Sequence, residues 1–207
     1  MIKQIEKSLR LVLDPATNKL LGQGVFINDC FVFPLHIQNV KISQVIEVIL
    51  YAENDSIEIK LNTTKIFVIN VLKELDLVIS RIIDLNISRE QLCITDINSL
   101  NNKLLNNSIC SVFSLTFNEE NIVYCVKSDV IFHYKFQDNS SPIILNKYKG
   151  WMLKGYSGSP IFLNNSDVLV GFVLGNLANE PNNFVSINMT NKISFFNAVK
   201  IKIDNSS

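Results

Sequence analysis

Residues 22–36 read Gly22-Gln23-Gly24-Val25-Phe26-Ile27-Asn28-Asp29-Cys30-Phe31-Val32-Phe33-Pro34-Leu35-His36. Within them, 24–27 and 30–33 are short runs of β-branched and aromatic side chains, parted by Asn28-Asp29, residue types that suit a tight turn. The same signature continues along the chain at 45–50, 56–61 and 65–69, with 56–61 alternating polar and apolar like a strand with one wet face. A second set follows at 109–117, 122–127, 130–136, 159–163, 168–174 and 184–187. Between the sets, 84–107 is polar and Asn-rich, the composition of a linker. Many short strands in two groups predict an all-β chain of two barrels in tandem. Residues 1–90 are expected to form the first unit, 91–107 the connection and 108–207 the second. One helix is predicted near the end, where Thr190-Asn191 offers a cap and Ile193, Phe196 and Val199 recur at helical spacing. Residues 2–11 read equally as a short helix or a lead strand.

Composition narrows the function classes. The chain has 207 residues, enough to bury roughly 70% of the surface its unfolded form would expose. Apolar residues make up 47%, which excludes intrinsic disorder. Nineteen basic residues balance nineteen acidic ones with no block of one sign, so the basic footprint of a nucleic-acid binder is missing. No apolar run is long enough for a spanning helix. The first ten residues scatter charges where a signal peptide needs an apolar core, so a cytoplasmic location is expected. Cys30, Cys93, Cys110 and Cys125 lack the close pairs of zinc or dithiol sites, which predicts reduced cysteines, no metal and no cofactor.

The sharpest local signal is Gly155-Tyr156-Ser157-Gly158-Ser159-Pro160. Glycines on either side of Tyr156-Ser157 permit a tight turn that presents the hydroxyl, with the amides of Gly155 and Ser157 free to converge on one point. The hexapeptide is also the sequence of a plain β-turn before a strand. A serine hydroxyl is a poor nucleophile at neutral pH and needs a base and an orienting group. Of the two histidines, His36 stands at the end of an apolar run, where a base can face a cleft, whereas His133 sits mid-strand between aromatics. Asp76 lies among leucines in Leu75-Asp76-Leu77, where burial is costly unless an imidazole compensates it. Asp84, in Ile83-Asp84-Leu85, is its rival.

These stretches together resemble the chymotrypsin-like (trypsin-like) serine proteases, in particular the compact bacterial, viral and HtrA-type members. In chain order, Gly22-Gln23-Gly24-Val25-Phe26-Ile27 is similar to the family's Gly-Ser-Gly-Phe strand and Phe33-Pro34-Leu35-His36 to its Thr-Ala-x-His. Leu75-Asp76-Leu77 is similar to its Asp-Leu-Ala, and Gly155–Pro160 to its Gly-Asp/Asn-Ser-Gly-Gly-Pro. The resemblance covers about residues 10 to 200. It implies two six-stranded antiparallel barrels with a C-terminal α-helix, and a peptidase with His36, Asp76 and Ser157 as its triad. Gly155 and Ser157 would form its oxyanion hole, and a polypeptide would be its substrate. The alternative it leaves open is a catalytically silent member that binds proteins. Ile37 replaces the cysteine that follows the histidine in secreted digestive members, and Tyr156 replaces their activation-linked aspartate. Trp151 takes the place of the primary-pocket floor, and Leu174, Gly175 and Asn176 that of the strand edge pairing with substrate. A small or apolar side chain is expected in that pocket. A bulky Trp151 also raises the expectation of a gated site opened by a regulatory protein partner.

Overall fold

A computed structural model describes residues 2–84, 104–137, 144–152, 155–166, 168–177, 179–188 and 193–200. Among them are twelve strands in two closed antiparallel barrels. The first barrel uses β1 (Leu9–Leu13), β2 (Leu20–Ile27), β3 (Cys30–Pro34), β4 (Val45–Tyr51), β5 (Thr64–Leu72) and β6 (Leu77–Ile82), closed in the order β1-β2-β3-β6-β5-β4. The second uses β7 (Ile109–Phe117), β8 (Val123–Gln137), β9 (Ile144–Lys149), β10 (Pro160–Leu163), β11 (Leu169–Leu177) and β12 (Glu180–Asn188), closed in the order β10-β11-β12-β9-β8-β7. Helix α1 (Ile2–Ser8) leads directly into β1, so the segment read as helix or strand is both in turn. Helix α2 (Ile193–Lys200) follows the second barrel and buries Phe195, Ala198 and Val199, with Phe195 edge-on to Phe172. The cap at Thr190-Asn191 and the side chains of Ile193 and Phe196 lie outside the described residues, as do 91–103 of the expected connection. No described helix is long and apolar enough to cross a membrane.

Strands β1 and β3 are buried throughout, which explains why 30–33 reads as an unbroken apolar run. One face contributes Phe26, Phe31 and Phe33 to a cluster confined to the first barrel. The opposite face, with Val25, Cys30 and Val32, joins a larger cluster that continues into the second barrel through Val112, Phe132 and Phe172. The barrels therefore share apolar surface. Ser80, fully buried on β6, donates from Oγ to the Phe31 carbonyl across the β3–β6 pair at 2.7 Å. Ser80→Ala should cost about 1 kcal/mol of stability, read from the urea midpoint at unchanged slope.

The expected strand at 56–61 does not form. It belongs to the loop between β4 and β5, and its alternation reflects a segment lying over the molecular surface with Ile57 and Leu61 partly covered and Ile59 exposed. Part of this loop's backbone pairs with the second barrel instead. Asn54 N–H donates to the Val123 carbonyl, Val123 N–H to the Asp55 carbonyl and Ile57 N–H to the Asn121 carbonyl, at 2.8–2.9 Å. The runs at 122–127 and 130–136 are one strand, β8. The intervening Ser128-Asp129 stays in the ladder opposite Ser111-Val112, and the Ser111 hydroxyl donates to Asp129 Oδ1 at 2.9 Å.

Candidate active site

Sheet register brings the first two site residues together. Strands β3 and β6 pair antiparallel up to Pro34 opposite Leu77, so the next residue out on each side is Leu35 and Asp76. Leu35 N–H donates to the Asp76 carbonyl at 2.8 Å. A single 3-10 turn, Leu35–Ile37, then carries His36 away from the barrel end. Asp76 closes another 3-10 turn and holds φ 51°, a left-handed conformation that aspartate tolerates better than most side chains. Its carboxylate grips His36 twice: Oδ1 accepts from the His36 backbone N–H at 3.1 Å and Oδ2 is hydrogen-bonded to ring Nδ1. The Asp76 side chain is 17% exposed and that of His36 42%, so the acid is sheltered while the ring faces solvent. Imidazole Nε2 lies 2.6 Å from Ser157 Oγ.

Ser157 comes from the second barrel, three residues before β10. Gly155 and Gly158 hold φ +94° and +93°, where an L side chain would be strained. Each carbonyl from Gly155 to Ser157 has a partner: Gly155 accepts from Gln23 Nε2, Tyr156 from Ser159 N–H and Ser157 from Gln23 N–H. A trans peptide points its N–H opposite to its C=O. The amides of Gly155, Tyr156 and Ser157 make no hydrogen bond among the described residues, so donors are left over where the carbonyls are spent. The Gly158 N–H donates to the Val173 carbonyl and Val173 N–H to the Ser159 carbonyl, which locks the loop to β11. Burial holds the Tyr156 phenol above its usual range, and Tyr156 is 4% exposed.

Several solved structures that superimpose on this chain are proteases. The active form of the Rv3671c protease from M. tuberculosis superimposes with a TM-score of 0.65 at 14% identity, covering 96% of this chain and 83% of that one. The serine endoprotease from Yersinia pestis gives 0.66 at 12% identity, over 97% of this chain and 65% of that one. Catalytically active tobacco etch virus protease complexed with product gives 0.62 at 9%, over 95% and 79% of the two chains. The chain has the chymotrypsin-like fold. No protein-family model and no curated protein matches its sequence, so the likeness resides in the backbone.

In this chymotrypsin-like frame the remaining sequence-predicted residues fall as follows. Strand β11 pairs with β10 no further than Phe172 opposite Pro160, while its other edge stays paired with β12. From Leu174 through Asn176 the β10-side edge has no strand partner among the described residues, and a Cβ added at Gly175 would meet nothing within 4 Å. Asn176 donates from Nδ2 to the Met152 carbonyl at 2.9 Å, tying that edge to the segment that carries Trp151. Trp151 is 60% exposed. A side chain at the floor of a closed pocket would be covered, so the indole stands at a surface rim instead. His133 occupies a bulge in β8 and its electrostatic neighbour is Glu180, not Ser157. Asp84 accepts from the Lys65 backbone N–H at 2.8 Å and plays no part near His36. Cys30, Cys110 and Cys125 carry no disulfide, and burial pushes the thiols of Cys110 and Cys125 up to about 12; Cys93 lies outside the described residues.

Gln23 is the site residue the sequence reading passed over. It is fully buried, and its side chain reaches from β2 across to the second barrel. The signal was present: a polar residue between two glycines, leading into a strand that is otherwise apolar.

Proposed function

We propose that this chain is a serine endopeptidase that cleaves peptide bonds through an acyl-enzyme. The single observation that supports this reading most is the contact of His36 Nε2 with Ser157 Oγ at 2.6 Å, with Asp76 on the opposite ring nitrogen. His36 takes the Ser157 proton as Oγ attacks the scissile carbonyl, forming the new C–O bond, and returns it to the leaving amine as the C–N bond breaks. Asp76 holds the tautomer with Nδ1–H and stabilises the imidazolium. Water then repeats the sequence to release the acid and restore the hydroxyl. The amides of Gly155 and Ser157 bind the developing oxyanion, each donor lowering the barrier by about 3–4 kcal/mol. Every step uses side chains and backbone amides of this chain.

An extended polypeptide substrate adds as a strand along Leu174, Gly175 and Asn176, and places a small or apolar side chain beneath the rim at Trp151. The groups come from both barrels, so residues 1–90 alone, or 108–207 alone, hold only part of the set. Incubation with a fluorophosphonate probe should label Ser157 stoichiometrically. Labelling should vanish in Ser157→Ala and slow at least 100-fold in His36→Ala, as intact-mass spectrometry would report. An unlabelled wild-type protein that melts cooperatively would favour the silent, protein-binding alternative.

A further inference from the structure

We propose that Gln23 is a positioning residue for the nucleophile loop, an inference that rests on the peptidase reading above. The Gln23 side-chain amide behaves as a peptide group inserted between the barrels. Its Oε1 accepts from the Leu115 N–H at 2.8 Å, and its Nε2 donates to the Leu115 carbonyl at 2.7 Å and to the Gly155 carbonyl at 3.1 Å. Its own backbone N–H donates to the Ser157 carbonyl at 2.8 Å. One residue of the first barrel thus fixes the peptide planes 155–156 and 157–158 of the second. The plane between them, which carries the Ser157 amide, is caught on both sides.

The fit is specific in chemistry and in space. Leu115 presents one donor and one acceptor, and Gly155 a further acceptor; only a side-chain amide offers one acceptor and two donors in a plane. Asparagine is one methylene shorter, and an ionised glutamate has no donor. The surroundings forbid slack. A Cβ at Gly22 would lie 2.9 Å from the Ser157 carbonyl oxygen, and one at Gly158 would lie 2.0 Å from the Gln23 carbonyl oxygen. Strand β2 and the loop therefore touch backbone to backbone, and Gln23 sits at that contact with no exposure to water. Losing its amide frees the Gly155 carbonyl, allows the 155–156 plane to rotate, and misdirects the serine and its oxyanion donors. Misplacement of reacting groups by about 1 Å costs on the order of 100-fold in rate.

The test compares Gln23→Met and Gln23→Glu with Ser80→Ala, which removes a buried hydrogen bond within the first barrel that touches neither the nucleophile loop nor the second barrel. Three quantities are read: the melting temperature, the rate constant for fluorophosphonate labelling of Ser157, and hydrogen exchange of the Gly158 and Ser159 amides. The expected result is labelling slowed at least tenfold beyond the Ser80→Ala effect at equal fraction folded. Exchange at Gly158 should rise at least tenfold, and peptide hydrolysis should lose kcat with little change in KM. Labelling at the rate of Ser80→Ala, or unchanged exchange at Gly158, would overturn the proposal. So would failure of both Gln23 variants to fold while Ser80→Ala folds, because the residue would then be structural only. A wild-type chain that resists labelling defeats the peptidase reading, whereas the exchange measurement needs no turnover and still decides the role of Gln23.

Discussion

Ser157→Ala, His36→Ala and the double variant should each hydrolyse a peptide substrate about 10⁶-fold more slowly than the wild-type chain, with the double no worse than either single. The reason is the shared proton. Once Oγ is gone, His36 Nε2 has nothing to deprotonate; once the imidazole is gone, no second histidine replaces it, because His133 stands at the β8 bulge beside Glu180. On the proposed mechanism the two losses remove the same step. On that mechanism the residual rate comes from the Gly155 and Ser157 amides and from substrate binding, neither of which either substitution removes. Steady-state kcat values for the three variants on one substrate are the measurement. Additive losses, with the double far below the singles, would mean that the two residues act in separate steps, and the shared-proton mechanism would fall.

What the sequence made legible follows from which interactions leave a local mark. The end-of-strand position of His36 and the costly aspartate of Leu75-Asp76-Leu77 are local, and the β3–β6 register joins them. The Gly-flanked serine is local too, since its positive φ values demand glycine on the spot. Elements whose stability comes from the other barrel were hidden. Residues 56–61 carry strand alternation, yet Ser56 and Ile57 pair with Ile122 and Asn121 of the other barrel, partners that no short-range pattern could report. At residues 2–11 helix and strand could not be told apart because both occur in turn, and Arg10, only 6% exposed, interrupts the apolar run of β1; its guanidinium donates to the Lys7 and Leu9 carbonyls and lies 5.2 Å from the Phe26 ring centre. Strand β9 was masked by its own inward face, where Asn146 is fully buried next to Tyr148 and breaks the apolar periodicity. Gln23 left a local mark, a polar residue between two glycines, but that mark does not name its partners, Leu115 and Gly155, which belong to the opposite barrel.

Gly158→Ala should be the most damaging single methyl that can be added to the site. Two independent costs coincide there. A φ of +93° is strained for any L side chain, at about 1–3 kcal/mol. The new Cβ would also lie 2.0 Å from the Gln23 carbonyl oxygen and 2.9 Å from Pro34 Cδ, and neither is the yielding end of a flexible side chain. Relief requires β2 and the nucleophile loop to separate, which breaks the Gln23 N–H bond to the Ser157 carbonyl and draws Ser157 Oγ away from His36. Together these put the expected loss at about 4 kcal/mol or more, the range reserved for backbone strain and overpacking, and fluorophosphonate labelling should fall with it. Gly175→Ala is the matched comparison, since a Cβ there meets nothing within 4 Å. Its stability, read from the urea midpoint at unchanged slope, should stay within about 0.5 kcal/mol of wild type. If Gly158→Ala were as harmless as Gly175→Ala, the close backbone contact between the barrels would not be what holds the serine opposite its base.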